Sequence, residues 1–223
     1  MKYIIANWKA HKTLEEAVAW TDTFLSLLSK DTALDNKLTS GELLVIIAPP
    51  ASFAQSLHER LKGKIGIAVG VQDVSEFDEG PYTGEVTAKN LVGIADYVLV
   101  GHSERRKYKG ETEESILKKL ELCKKYGLSP ILCVTKKEQV HEGILFIAYE
   151  PDGAIGTGNN TPVSDVLSFR STLSLPSNAQ FLYGGSVNTG DVMGYLGERE
   201  ISGLLVGGAS LDASNFYSLI KKA

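Results

Sequence analysis

Short, unbroken apolar runs recur along the chain, separated by longer stretches in which apolar and polar positions mix. The runs are Tyr3–Asn7, Leu43–Ala48, Ile65–Val71, Tyr97–Val100, Pro130–Val134, Leu145–Tyr149, Phe181–Tyr183 and Gly203–Val206. They are continuous rather than alternating in polarity, as parallel strands covered on both faces should be. Between them, Thr13-x-x-Glu16 has the form of a capping box ahead of Ala17, Val18, Phe24, Leu25 and Leu28, and predicts an amphipathic helix. Ser52-x-x-Gln55 predicts the start of a second helix. Thr161-Pro162 predicts an N-cap and a first-turn proline ahead of Val163, Val166 and Leu167. Eight strand–helix alternations imply an α/β fold. Alternation alone does not separate a closed barrel from an open, doubly wound sheet. No repeat, low-complexity tract or linker divides the chain, so residues 1–223 read as a single domain. One connection is anomalous: only TKKEQVHEGI separates Val134 from Leu145. A parallel crossover usually takes about a dozen residues or more. A shortened or missing helix is expected there, with a gap in the outer layer and more exposed apolar surface.

Composition narrows the class. The chain has 223 residues, 43% of them hydrophobic and 22% charged, enough for one sizeable core. Its net charge of -4 argues against a general nucleic-acid binder. A mildly acidic protein that takes an anionic ligand must concentrate positive potential locally. Cys123 and Cys133 make neither a disulfide framework nor a zinc pattern, and read as free thiols of a reducing compartment. The opening MKYIIANWKAHK lacks the apolar stretch of a signal peptide, and no apolar run reaches the ~18 residues of a membrane span. The expectation is a cytoplasmic protein with no membrane or nucleic-acid partner.

In a parallel α/β fold the chemistry collects just beyond the strand C-termini. Asn7-Trp8-Lys9 follows the first strand, and Gly101-His102-Ser103-Glu104-Arg105-Arg106 follows the fourth. Glu150-Pro151 follows the sixth and leads into AIGTG, Gly184-Gly185-Ser186 follows the seventh, and Gly207-Gly208 follows the eighth. Each has an ordinary reading: a solvated lysine, a capping histidine, a turn glutamate, tight glycine turns. Converging on one face, they suit proton transfer on a phosphorylated substrate. His11, His58 and His141 have no matching partner and read as structural.

Taken in order, N-W-K, G-H-S-E-R-R, A-Y-E-P…A-I-G-T-G, Y-G-G-S-V and L-V-G-G-A-S-L resemble the triosephosphate isomerase family, from residue 4 to the end of the eighth strand. The resemblance implies an eight-stranded parallel (β/α)8 barrel, here with the helix between strands five and six shortened or missing. It implies a cofactor-free, metal-free isomerase that interconverts dihydroxyacetone phosphate and D-glyceraldehyde 3-phosphate through an enediolate, in glycolysis and gluconeogenesis. Glu150 would be the catalytic base, His102 the neutral electrophile and Lys9 the cation supporting the enediolate. Ser103, Glu104 and Tyr183 would support the site. Asn7, Lys9, Gly156, Ser186, Gly207 and Gly208 would hold substrate, the last four largely through backbone N–H groups on the phosphate. A homodimer is also implied. Its Gln72–Glu85 loop would bring Thr83 to the partner's Asn7 or Lys9, with Glu85 pairing Arg105 across the interface.

Three departures from the family pattern stand out. After strand five the run is Cys133-Val134-Thr135-Lys136, without the family glutamate. The lid, Pro151 to about Asn160, begins Pro151-Asp152-Gly153-Ala154, without the family tryptophan that bonds this glutamate, and ends in Asn159 instead of lysine. The third is the short connection. All leave Lys9, His102 and Glu150 intact, and together they predict a mobile, open lid and modest substrate affinity. Another phosphate-binding barrel enzyme, or an inactive barrel used for binding, is the competing class. His102 and Glu150 in matching contexts argue against both.

Overall fold

The computed structural model describes residues 1–151 and 160–223. Eight parallel strands close on themselves in sequence order: β1 (Lys2–Asn7), β2 (Leu43–Ala48), β3 (Ile67–Val71), β4 (Tyr97–Val100), β5 (Ser129–Val134), β6 (Phe146–Tyr149), β7 (Gln180–Tyr183) and β8 (Gly203–Val206). Pairing of β1 with β8, Ile4 opposite Leu204 and Ala6 opposite Val206, removes both sheet edges and decides for the barrel. Successive side chains of a strand point to opposite faces, so each apolar run feeds two cores. Ile5, Ile46, Leu99, Ile131, Cys133, Ala148, Leu182 and Leu205 fill the barrel interior. Ile4, Val45, Val98, Leu132, Ile147, Phe181 and Leu204 face the helical layer.

That layer consists of α1 (Leu14–Leu28), α2 (Thr32–Thr39), α3 (Ala51–Leu61), α4 (Ser103–Lys109), α5 (Glu113–Lys125), α6 (Val163–Ser171), α7 (Val192–Leu196) and α8 (Ala213–Ile220). The Thr13–Glu16 capping box forms as expected, with both reciprocal bonds present. The other two helix starts differ from expectation. Pro50 caps α3 without a side-chain bond, which puts Ser52 inside the first turn. Pro162 occupies the cap of α6 instead of its first turn. Thr161 is drawn off the helix because its N–H donates to Tyr183 Oη at 2.9 Å and its carbonyl accepts from Tyr195 Oη at 2.6 Å. β3 starts two residues later than its apolar run. Gly66 makes a left-handed turn (φ 76°) tight against Leu38, where a Cβ would lie 2.7 Å from the Leu38 carbonyl oxygen.

Two crossovers carry no α-helix. β3 and β4 are joined by a long loop with one 3-10 turn, Lys89–Leu91, so the alternation is not uniform. Between β5 and β6 there is a single 3-10 turn, Lys137–Gln139, in line with the short connection. The expected exposure is confined to Leu145, which is 42% exposed. Leu132, Val134 and Ile147 are fully buried, and Val140 and Ile144 pack against the same outer core without a helix. His141, read as partnerless, has a partner: its Nε2 lies 3.2 Å from Glu113 Oε2 on α5. No helix among the described residues is long and apolar enough to cross a membrane.

Candidate active site

All strand C-termini open on one end of the barrel, and a cavity of about 270 Å³ lies there. Asn7, Lys9, His102, Glu150, Ser186, Gly207 and Gly208 line it. That is just below the range that takes drug-sized ligands, which suits a small substrate.

Glu150 is the first residue beyond β6 and is 1% exposed. Its N–H extends the sheet by donating to Val134 O at 2.8 Å, which fixes the backbone that carries the carboxylate. Oε2 accepts the Ser103 N–H at 2.8 Å, at the start of α4. Oε1 lies 2.8 Å from His102 Nε2 but without hydrogen-bond alignment, and among the described residues it has no hydrogen-bond donor. A buried carboxylate oxygen with an open lone pair beside an imidazole is suited to take a proton. Gly184 makes room for it: a Cβ there would sit 3.0 Å from Glu150 Cγ.

His102, also buried, lies two residues beyond β4 and caps α4. Its Nδ1 accepts the Glu104 N–H at 3.2 Å. A ring nitrogen that accepts carries no proton, so the ring proton belongs on Nε2, and the imidazole is a neutral donor facing the cavity.

Lys9 is held from three sides. Its backbone is left-handed (φ 52°), uncommon for a residue with a side chain. Asn7 Oδ1 accepts its N–H at 3.0 Å, and Gln72 Nε2 donates to its carbonyl and to Ala48 O, each at 2.9 Å. Its ammonium pairs with Glu104. Lys9 lines the cavity, and a Cβ at Gly207 would come within 3.3 Å of its Cε.

Ser186, Gly207 and Gly208 reach the cavity through the turns after β7 and β8. Tyr183, the last residue of β7, does not line the cavity; it is fully buried, stacked on Tyr195 at 4.3 Å and bonded to Thr161. Gly156 and the lid segment 152–159 lie outside the described residues. Arg105 turns to its own chain, with Nη2 2.7 Å from Asp73 Oδ2 and Nε donating to Glu111 at 3.2 Å. Lys119, itself buried, completes this half-buried group between Asp73 and Glu111. Burial raises the Asp73 carboxyl above its usual range, against the opposing pull of Lys119 and Arg105.

Two supporting residues were not singled out in the sequence. Gln72 clamps the Lys9 turn, and Arg106 donates to Gly101 O at 2.7 Å, tying down the turn ahead of His102. Gln72 directly follows β3, the one signal that could have found it, and Arg106 closes the Gly101–Arg106 run from within α4. Cys133 faces the interior beside this site. Burial, then the Glu150 charge, pushes its thiol well above the usual range, and burial pushes Cys123 up to about 12. Neither thiol is set up as a nucleophile.

A family model described as triosephosphate isomerase matches residues 2–145 and 139–223. The two stretches meet at the short β5–β6 connection. A triosephosphate isomerase of Trichodesmium erythraeum is 37% identical, over 98% of this chain and 98% of its own. One from Dictyoglomus thermophilum is 34% identical over 99% and 98%, and one from Aquifex aeolicus 33% over 98% and 98%. The Trichodesmium comparison runs over 247 positions, more than the 223 residues present here, so residues of that relative have no counterpart in this chain.

Proposed function

The chain belongs to the triosephosphate isomerase family, and on that premise we propose that Glu150, His102 and Lys9 are its catalytic residues. The activity is that of an aldose–ketose isomerase acting on triose phosphates in glycolysis; the reverse direction serves gluconeogenesis. The reading takes residues 1–223 as one barrel domain that needs no cofactor.

Substrate enters the cavity that Glu150 and His102 line and parts their 2.8 Å contact. Glu150 Oε1 removes the proton from C1 of dihydroxyacetone phosphate as electrons move onto the carbonyl oxygen at C2. His102 Nε2–H donates to that oxygen, and Lys9 offsets the negative charge that builds there. His102 gives its Nε2 proton to the C2 oxygen and takes the C1 hydroxyl proton in its place, while Glu150 returns its proton to C2, leaving an aldehyde at C1 and a hydroxyl at C2. Oε2 must leave the Ser103 N–H as substrate draws the carboxylate inward. Backbone N–H groups of Gly156, Ser186, Gly207 and Gly208 hold the phosphate. The observation that carries the reading is the undonated Glu150 Oε1 facing a His102 ring whose Nδ1 is already an acceptor. A coupled assay on glyceraldehyde 3-phosphate tests it: the wild type turns over, and His102→Ala loses most of kcat. An inactive wild type refutes it.

The assembly reading is a homodimer. Residues 79–86 of the Gln72–Glu85 loop and its flank are exposed throughout, and Phe77 and Tyr82 stack at 4.3 Å while each is 41% exposed. A second cavity of about 600 Å³, lined by Lys9, Glu104, Arg105 and Tyr108, adjoins the catalytic one and can receive the loop tip of a second copy. Thr83 then approaches the partner's Asn7 or Lys9. Since Arg105 already pairs with Asp73 and Glu111, Glu85 joins an occupied group instead of meeting a lone cation. Sedimentation at assay concentration should give a dimer; a fully active monomer would exclude it. Two buried free thiols favour a cytoplasmic location.

A further inference from the structure

Trp20 belongs to α1, does not line the cavity, and is 4% exposed. Its ring packs edge-on against Trp8 at 4.8 Å, directly before Lys9, and stacks on Phe24 at 4.9 Å. Its indole N–H donates to the carbonyl of Ser210 at 3.1 Å, in the turn after β8. One side chain thus touches both the lysine turn and the glycine turn.

The hydrogen bonds of that glycine turn give the contact a consequence. In a trans peptide the carbonyl of one residue and the N–H of the next point in opposite directions. Trp20 holds the Ser210 carbonyl, which fixes the other end of that peptide, the Leu211 N–H. The Leu211 N–H donates to Gly208 O at 3.1 Å, so the Ala209 N–H on the far side of the next peptide is fixed in turn. Ser210, fully buried, donates both its N–H, at 2.8 Å, and its hydroxyl, at 2.7 Å, to Gly207 O. This directs the Gly208 N–H the opposite way. Gly208 and Ala209 both line the catalytic cavity. Anchored carbonyls on the rear of the turn therefore aim two amides at the cavity.

We propose that Trp20, acting through Ser210, is a positioning residue for phosphate: it presets the Gly208 and Ala209 N–H groups and locks their turn to the one that carries Lys9. The inference rests on the reading of the β8 turn as a phosphate site. Preset donors cost no ordering when the dianion arrives, so loss of the anchor weakens phosphate binding while leaving the Glu150–His102 pair in place.

The test compares Trp20→Phe, which keeps a ring in the stack but lacks the N–H, with Ser210→Ala, Phe24→Leu and Gly208→Val. Three quantities are read in the full-length protein: inhibition by inorganic phosphate, KM for glyceraldehyde 3-phosphate, and kcat/KM for unphosphorylated glyceraldehyde. Trp20→Phe should raise the phosphate Ki and KM about five-fold, the size of one lost hydrogen bond, and leave the glyceraldehyde value unchanged. Ser210→Ala keeps the carbonyl that Trp20 bonds and removes only the hydroxyl bond to Gly207 O, so it should shift Ki and KM the same way by less; Trp20→Leu serves as the test if Trp20→Phe does not fold. Phe24→Leu, which disturbs the same stack without touching Ser210, should lower Tm alone. Gly208→Val should raise Ki strongly. If it does, and the Trp20 variant leaves Ki within two-fold, the positioning role is wrong and the phosphate site stands. If Phe24→Leu raises Ki as much as Trp20→Phe, the effect is packing and the inference fails. If Gly208→Val leaves Ki unchanged, the phosphate site itself fails and the inference with it.

Discussion

Lys9 holds a left-handed backbone that costs an L residue about 1–2 kcal/mol, and its neighbours hold it there. Asn7 Oδ1 and Gln72 Nε2 bond its two backbone groups, and Glu104 takes its ammonium. The side-chain identities of this site were legible in the motifs at the strand ends. The backbone conformation of Lys9 and the clamp by Gln72 were not, since both arise from contacts between separate turns. Glu150 is confined in the same way by Gly184. Gly184→Ala places a methyl group 3.0 Å from Glu150 Cγ, and the neighbouring Tyr149 carbonyl at 3.2 Å blocks its retreat. The base is displaced by a few tenths of an ångström. We expect kcat to fall about ten-fold with KM nearly unchanged, because a shift of ~1 Å costs about a hundred-fold. Wild-type kcat in that variant would mean that the carboxylate is not held in place as described.

Among the elements, the shortened β5–β6 connection departs most from a regular barrel. Its brevity was legible by counting residues; its packing was not, because Val140 and Ile144 look like ordinary loop residues until the exposed strand faces need covering. His141 ties the connection to Glu113, which in turn pairs with Arg106 beside the His102 turn. His141→Ala should therefore speed hydrogen exchange of the amides of residues 140–145 several-fold and leave β2 unchanged. Equal exchange in the two proteins would show that the imidazole does not anchor this segment. The ion pair between α2 and α8 gives a pH signature. Asp31 caps α2 and meets Lys221 and Tyr217. Bonds from Lys221, then Tyr217 and the Leu34 N–H, lower its carboxyl from 3.8 to about 2. A depressed folded-state pKa stabilises the fold above the unfolded value and loses that effect as pH falls through the folded one. Asp31→Asn should lower Tm at pH 7, and the difference from wild type should close between about pH 4 and pH 2. A difference that persists unchanged at pH 2 would assign it to something other than the charge.

For the whole molecule, α/β alternation was legible and closure was not. Pairing of Ile4 with Leu204 joins the two ends of the chain, and nothing local to either strand encodes that partner. The ordered motifs supplied closure through family resemblance. The same non-locality explains the helix starts: Thr13 and Glu16 cap each other within one turn, whereas Thr161 is captured by two tyrosines from distant elements. The closed barrel brings Glu150 from β6 to within 2.8 Å of His102 from β4, and the account of function rests on that convergence. The most direct test is the steady-state rate of Glu150→Asp on glyceraldehyde 3-phosphate beside the wild type. Retracting the carboxylate by about one methylene should lower kcat about a hundred-fold while KM stays within a few-fold. An unchanged kcat would contradict the assignment of Glu150 as the base.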